Sequence, residues 1–317
     1  IIFIYSTHLR DFLGCNFAKV ILLDLFINEQ NNRFRLKNIE DIISIIGYKR
    51  MKNITEQLSE AIDDIRLSLK NNYFWRALAW NDILNRYRRS TLGPLWITLS
   101  MTITIGAMAP LYASFFGMPI NDFFPRLALG IITWGLLASS INEFTNTFQE
   151  SANYLKQIKI SFSIFIFRVI YRQLIVFCHN LIIYPLVMLI FWKPININFL
   201  FVIPGIFLVT LNLFWIGLCL SIFCARFRDM SPIINSIVQL LFFITPVIWD
   251  PSMLSASKQL LVHLNFLATL LDLIRQPLLG VIPSTFYWVS ALLTAIIGNG
   301  IALLIFAKKL KRITYWL

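Results

Sequence analysis

The sequence predicts an all-α polytopic membrane protein. It has six transmembrane helices, an N-terminal amphipathic interfacial helix, and short outer re-entrant helices between spans five and six. Three observations lead there. Of 317 residues, 57% are hydrophobic and only 14% charged, with a mean hydropathy of +0.69, where a soluble domain carries about 25% charged residues. Six apolar stretches reach the ~20 residues that a helix needs to cross a ~30 Å hydrocarbon core. The charge is also unevenly placed: up to Thr91 there are 14 Lys/Arg and 10 Asp/Glu, whereas Leu92 onward has 14 and 6.

The elements follow in order. Residues 1–50 show no span and no strong period, and read as a leader or upstream extension; Met51 opens a stretch that reads as a start. Residues 51–91 read as cytoplasmic or interfacial amphipathic helices. In Glu56–Lys70, Leu58, Ile62, Ile65 and Leu69 recur at helical spacing. Trp80, Ile83, Leu84 and Tyr87 repeat the pattern, with Asp82, Arg86, Arg88 and Arg89 on the opposite face. Asp82 and Arg86, four apart, support a helix. Aromatics on one side and arginines on the other suit a membrane surface; a soluble helix packed on its neighbours is the other reading. Gly93-Pro94 then offers a break before the membrane.

The spans of the 92–312 domain are expected at Leu92–Phe116, Arg126–Phe148, Ser161–Trp192, Phe199–Phe223, Ser231–Trp249 and Phe286–Ala307, with a cytoplasmic tail at 313–317. Lys258–Pro283 is apolar but holds His263, Asp272, Arg275 and Pro277, which suits paired short helices dipping into the outer leaflet better than a seventh span. With both ends of the domain inside, the inner segments hold ten Lys/Arg and the outer ones four. The positive-inside rule therefore puts both termini in the cytoplasm.

Several chemistries are absent from the sequence. It contains no G-x-x-x-x-G-K-[ST] phosphate loop, no HExxH and no G-x-S-x-G. The four cysteines imply neither a disulfide framework nor a zinc knuckle. No soluble basic stripe interleaved with aromatics argues for nucleic acid. His179, mid-span, is either a functional residue or an interhelical hydrogen-bonding one. Among carboxylates inside the spans only Glu143 stands out, so the chain reads as a pathway whose energy comes from elsewhere. Two loops with mixed charge, Glu143–Ile160 and Ala225–Pro232, suit a polar protein partner.

Four strings resemble one family. R-Y-R-R-S-x-L-G-P-x-W (Arg86–Trp96), "NYLKQIKI" (Asn153–Ile160), "ARFRDM" (Ala225–Met230) and "ITPVIWDPSML" (Ile244–Leu254) occur in the order and separations of ABC-2 exporter permeases. The nearest branch exports polysaccharide: O-antigen, capsule or teichoic acid. The likeness covers about Trp75 to Arg312. It implies a homodimer working with two copies of a cytoplasmic ATP-binding subunit, which carries the ATP-Mg. It implies no cofactor on this chain, no enzymatic activity of its own, an inner-membrane location, and a polyprenyl-diphosphate-linked polysaccharide as substrate. By motif, Arg86, Tyr87, Arg88 and Arg89 fall on a gate helix at the headgroups. Glu150, Tyr154, Lys156, Gln157 and Lys159 fall on the helix that meets the ATPase, and Arg226, Arg228 and Asp229 on the second cytoplasmic loop. The pattern departs from the family at "KISFSIFIF", where a Pro-rich "P-F-P" element is common. Arginine chemistry agrees with a phosphate-bearing headgroup. Two other functions stay open: an ABC-2 permease for a drug or small lipid, and a membrane-embedded transferase acting on lipid-linked sugars.

Overall fold

The computed structural model describes residues 39–317 except 195, 254, 256–261 and 263. The expected leader up to residue 38 lies outside the described residues, as does the first of the paired outer helices. The chain divides into two units, Ile1–Thr55 and Glu56–Leu317. All that follows concerns the second.

Helix α1 (Ile39–Lys70) enters this unit at Glu56. Ala61 and Ser68 are fully buried and Leu58 and Ile65 pack on the core, whereas Ile62 and Leu69 are exposed. The buried face is therefore rotated from the expected stripe, because two small residues permit the closest approach. Between them, Asp64 accepts hydrogen bonds from the Phe162 and Ser163 backbone N–H groups (2.9 and 3.0 Å) and from Ser163 Oγ (2.6 Å). These N–H groups have no acceptor within their own helix, so Asp64 caps a span from another helix. Burial raises its pKa above the ordinary aspartate value, against the pull of those hydrogen bonds.

Helix α2 (Asn72–Arg86) runs to the arginine cluster. The chain then turns through Tyr87–Pro94, with Arg89 and Gly93 at φ of 69° and 55°, and α3 (Leu95–Phe116) begins. The break thus spans eight residues, starting before the Gly-Pro step. Helix α4 (Ile120–Phe144) is the centre of the bundle, buried along most of its length where α3 is mostly exposed. It begins six residues earlier than expected, since Arg126 lies inside it, paired with Asp250. Two short helices follow, α5 (Thr147–Glu150) and α6 (Ala152–Gln157).

Helices α7 (Ser163–Leu181) and α8 (Ile183–Ile190) form one 28-residue span with a turn at Ile182. Pro185 supplies no N–H to the carbonyl four residues back, which loosens the helix there. A 3-10 turn (Ile197–Phe201) leads into α9 (Val202–Arg226). Helix α10 (Met230–Ile244) is apolar but only 15 residues long, about 22 Å at 1.5 Å rise. It ends because Thr245 precedes Pro246 and is extended. Helix α11 (Phe266–Leu278) is capped by Asn265 and buried along almost its whole length. At 13 residues it is too short to cross, in keeping with the expected re-entrant element. Helix α12 (Thr285–Trp316) continues past the expected end of span six, almost to the last residue.

The molecule is all-α, with no strand among the described residues. Among the described residues five helices are long and apolar enough to cross a membrane, and α10 takes the place of the remaining expected span. The α9–α12 seam uses small residues, Ala291, Ala295, Gly298 and Ala302, which let backbones approach. A Cβ on Gly298 would stand 2.5 Å from the Trp215 ring. Asn212 joins the seam: its Nδ2 donates to the Ala291 carbonyl, and its Oδ1 accepts from Trp215 Nε1 and Thr294 Oγ1.

Candidate functional site

The C-terminal end of α4, the start of α7 and the end of α2 meet in an ionic network. Asp82 accepts a bidentate pair from Arg168, Nε at 2.7 Å and Nη2 at 2.6 Å. The same carboxylate accepts from Arg172 Nη1 at 2.5 Å, and Arg172 Nη2 donates to Glu143 at 2.5 Å. Arg86 reaches the other Glu143 oxygen at 3.5 Å. Three guanidinium groups thus share two carboxylates, leaving the cluster one positive charge in excess. Arg172 is buried, and its Nε is without a hydrogen-bond partner. The forked geometry of arginine makes such a chain possible; lysine would not span it.

The expected i,i+4 pairing of Asp82 with Arg86 is replaced by this network: Asp82 turns to α7 and Arg86 to α4. Arg168 and Arg172 were legible only as inner-side charges. Their spacing of four puts both on one face of α7, but no local signal says that Asp82 lies across from them.

Two residues beyond Glu143, a hydrogen-bonded knot joins the two polar loops. Thr145 Oγ1 and Ser231 Oγ lie 2.8 Å apart, and Ser231 Oγ donates to Asn146 Oδ1 at 2.9 Å. Gln149 Nε2 donates to the Cys224 carbonyl and Ser221 Oγ to the Phe144 carbonyl. The loops Glu143–Ile160 and Ala225–Pro232, separate in sequence, are therefore one structural unit. Asn146 reads in the sequence only as a polar residue toward the end of span two, and Thr145, Gln149, Ser221 and Ser231 do not stand out; each is a common polar residue whose role comes from its partner.

The motif residues are placed as follows. Arg86 is largely exposed apart from its contact with Glu143, and Tyr87 is half-buried. Arg88 and Arg89 are exposed, with no ion-pair partner among the described residues. Glu150, Tyr154, Lys156, Gln157 and Lys159 are all exposed on and beside α5 and α6, while Leu155 anchors α6 in the core. Arg226 stacks over Phe227 and Trp316, and Arg228 Nη2 donates to the Trp316 and Leu317 carbonyls. Asp229 is exposed at the start of α10. The second loop is thereby tied to the end of α12. His179 Nδ1 donates to the Ile175 carbonyl of its own helix, and Thr98 Oγ1 donates to the His179 carbonyl, joining α3 to α7.

The other end of α4 carries a different cluster. Arg275 Nε and Nη2 donate to Asp272 at 3.0 and 2.6 Å, and its Nη1 to the Pro246 carbonyl at 2.6 Å. Arg126 pairs with Asp250. Among the described residues no group of three or more His, Cys, Asp or Glu side chains is arranged to hold a metal.

A bundle of long apolar helices, with polar loops knotted together at one end and a buried short helix near the other, defines a multi-pass membrane protein. Residues 73–279, about two thirds of the chain, match the family model of the ABC-2 type transporter. The chain belongs to that family, which makes it a membrane subunit of an ABC transporter and implies an ATP-binding subunit as partner. No curated protein matches it.

Proposed function

We propose that this chain is the permease of an exporter moving lipid-linked polysaccharide across the cytoplasmic membrane. It acts as a homodimer, energised by two copies of a separate ATPase, with both termini in the cytoplasm. The observation that carries the reading is the arginine cluster at the α2–α3 turn. Arg88 and Arg89 stand exposed beside a cluster that already has one cation in excess, at the junction of a surface helix and a span. That is the depth of a lipid headgroup, and arginine forks suit diphosphate oxygens. The knotted loops support α5 and α6 as the surface that receives the ATPase. Their exposed Tyr154, Lys156 and Lys159 offer it polar contacts on a rigid base.

Deleting the gene tests the reading. Polymer should then accumulate inside the cell and be lost from its surface; surface polymer at the parental level would refute it. Replacing Arg88 and Arg89 with Gln should lower export while dimer and ATPase assembly stay intact.

A further inference from the structure

Near the polar loops the close α9–α12 seam gives way to a pocket of about 360 Å³. Leu220, Ile222, Phe223 and Ile305 are among its walls, and Arg226 and Lys309 are the charged residues of its lining. The walls belong to the apolar stretches of α9 and α12. Arg226 is the last residue of α9, and the charges of α12 all follow Ala307. An oily pocket therefore meets two cations where both spans leave the hydrocarbon.

The neighbouring cations are satisfied within the chain. Lys311 Nζ donates to Glu60 Oε1 at 2.7 Å, and Arg228 Nη2 donates to the Trp316 and Leu317 carbonyls. Arg226 and Lys309 have no carboxylate partner among the described residues. Arg226 lies over the Phe227 and Trp316 rings, with its Cζ 4.9 and 5.8 Å from their centroids. Ring faces hold the guanidinium plane and leave its N–H edges to donate. The pocket mouth thus calls for anionic oxygen, and arginine beside lysine suits a phosphate. The other seven lining residues are apolar, so a soluble anion would leave most of the lining bare. A zwitterionic headgroup would bring an ammonium to two cations and no acid, since Asp229 is not part of the lining.

We propose that the α9–α12 pocket holds one anionic glycerophospholipid of the surrounding bilayer, its phosphate on Arg226 and Lys309 and part of an acyl chain against Leu220, Ile222 and Ile305. Basic pockets between spans suit such headgroups. The lipid bridges the end of α9 to α12 and so fastens the second polar loop to the end of the chain's last span. No residue of α2, α3, α4 or α10 lines the pocket, which separates it from the arginines of the α2–α3 turn. The inference rests on the chain spanning a membrane and is independent of what it exports.

The test uses the permease assembled with its ATPase, purified in mild detergent and weighed intact by native mass spectrometry after adding phosphatidylglycerol. The parent should retain at least one phosphatidylglycerol per permease chain, and the Arg226→Gln, Lys309→Gln double variant at least tenfold less. Lys308→Gln, which removes an exposed cation outside the lining, should retain as much as the parent. Equal retention of phosphatidylcholine, or equal loss in Lys308→Gln, overturns the proposal. Displacement by inorganic phosphate at matched concentration reduces the pocket to a free-anion site and overturns it. Preferential retention of added undecaprenyl diphosphate assigns the pocket to an isoprenoid carrier and also overturns it. A second measurement needs no substitution, should the double variant fail to assemble. Phosphatidylglycerol with a diazirine in its acyl chain is photolysed with the parent complex and the adducts are mapped on peptides. Adducts within residues 219–227 or 305–316 are expected; labelling elsewhere with none in these two segments refutes the site.

Discussion

The two ends of α4 hold charge in opposite ways. Near its C-terminus, Asp82, Glu143, Arg86, Arg168 and Arg172 come from three helices, carry a net positive charge and leave a buried N–H unpaired. Near its N-terminus, Arg275 and Asp272 are neighbours on α11, both buried, and with Arg126 and Asp250 the charges balance. Arg126 and Glu143 are 17 residues apart, about 26 Å along the helix axis. The first cluster joins elements that are distant in sequence and has unspent cationic capacity. The second closes on itself and fastens α11 to the α10 exit through the Pro246 carbonyl. Gly130 fits the same purpose: a Cβ there would stand 2.5 Å from the Val247 carbonyl oxygen. A charge cluster with an uncompensated cation suits a site of action, and one whose charges balance suits a fixed closure.

That contrast can be broken, and the largest effect belongs to the closed end. Arg275→Ala strands the Asp272 carboxylate and the Pro246 carbonyl in a buried site, at a cost of about 3–5 kcal/mol. The purified protein should lose its folded fraction on gentle heating in detergent, where the parent remains monodisperse. Gly130→Ala, at the same end, forces α4 away from the Val247 backbone and should cost about 1–3 kcal/mol, read as a lower midpoint in the same melt.

At the open end, Asp82→Asn should cost less, about 1–2 kcal/mol, because buried Arg172 keeps Glu143 as a partner and Arg168 keeps some solvent. Its larger effect should be functional, on export per ATP hydrolysed. A double-mutant cycle with Arg168→Gln should show the two changes to be non-additive; simple additivity would mean that the pair does not act as a unit. Removing the knot by Ser231→Ala should cost about 1 kcal/mol and loosen the two loops together, measurable as faster hydrogen exchange in both.

The smallest effect is a pH dependence at Asp64. Burial raises its folded-state pKa above the ordinary value of 3.8, so the folded protein binds this proton more tightly than the unfolded chain. Its contribution is fully present below the unfolded pKa and is lost as pH rises through the folded one. Asp64→Asn, with no such proton, should flatten the stability profile across that window.

Much of this was legible in the sequence. Runs of apolar residues place the helices to within a few positions, since length and hydropathy are local properties. The four motif strings find the exposed residues around Arg86, Tyr154 and Arg228. What sequence does not disclose is pairing. Ile62 looks like a core residue of α1, but Ala61 and Ser68 take the buried side because a small face packs closer. Asp82 looks like the helical partner of Arg86, but two arginines 86 and 90 residues away hold it more firmly. Arg126 looks like a boundary residue, yet it sits inside α4 because Asp250 compensates it.

The most direct measurement uses the chain reconstituted with its ATPase in proteoliposomes loaded with polyprenyl-diphosphate-linked polymer on the ATP-exposed face. Polymer reaching the opposite face is scored by its accessibility to a glycan-cleaving enzyme enclosed there. ATP-dependent transfer that falls when Arg88 and Arg89 are replaced with Gln is the predicted result. ATP hydrolysis with no transfer of polymer, in a preparation that instead moves a small apolar compound, would contradict the account.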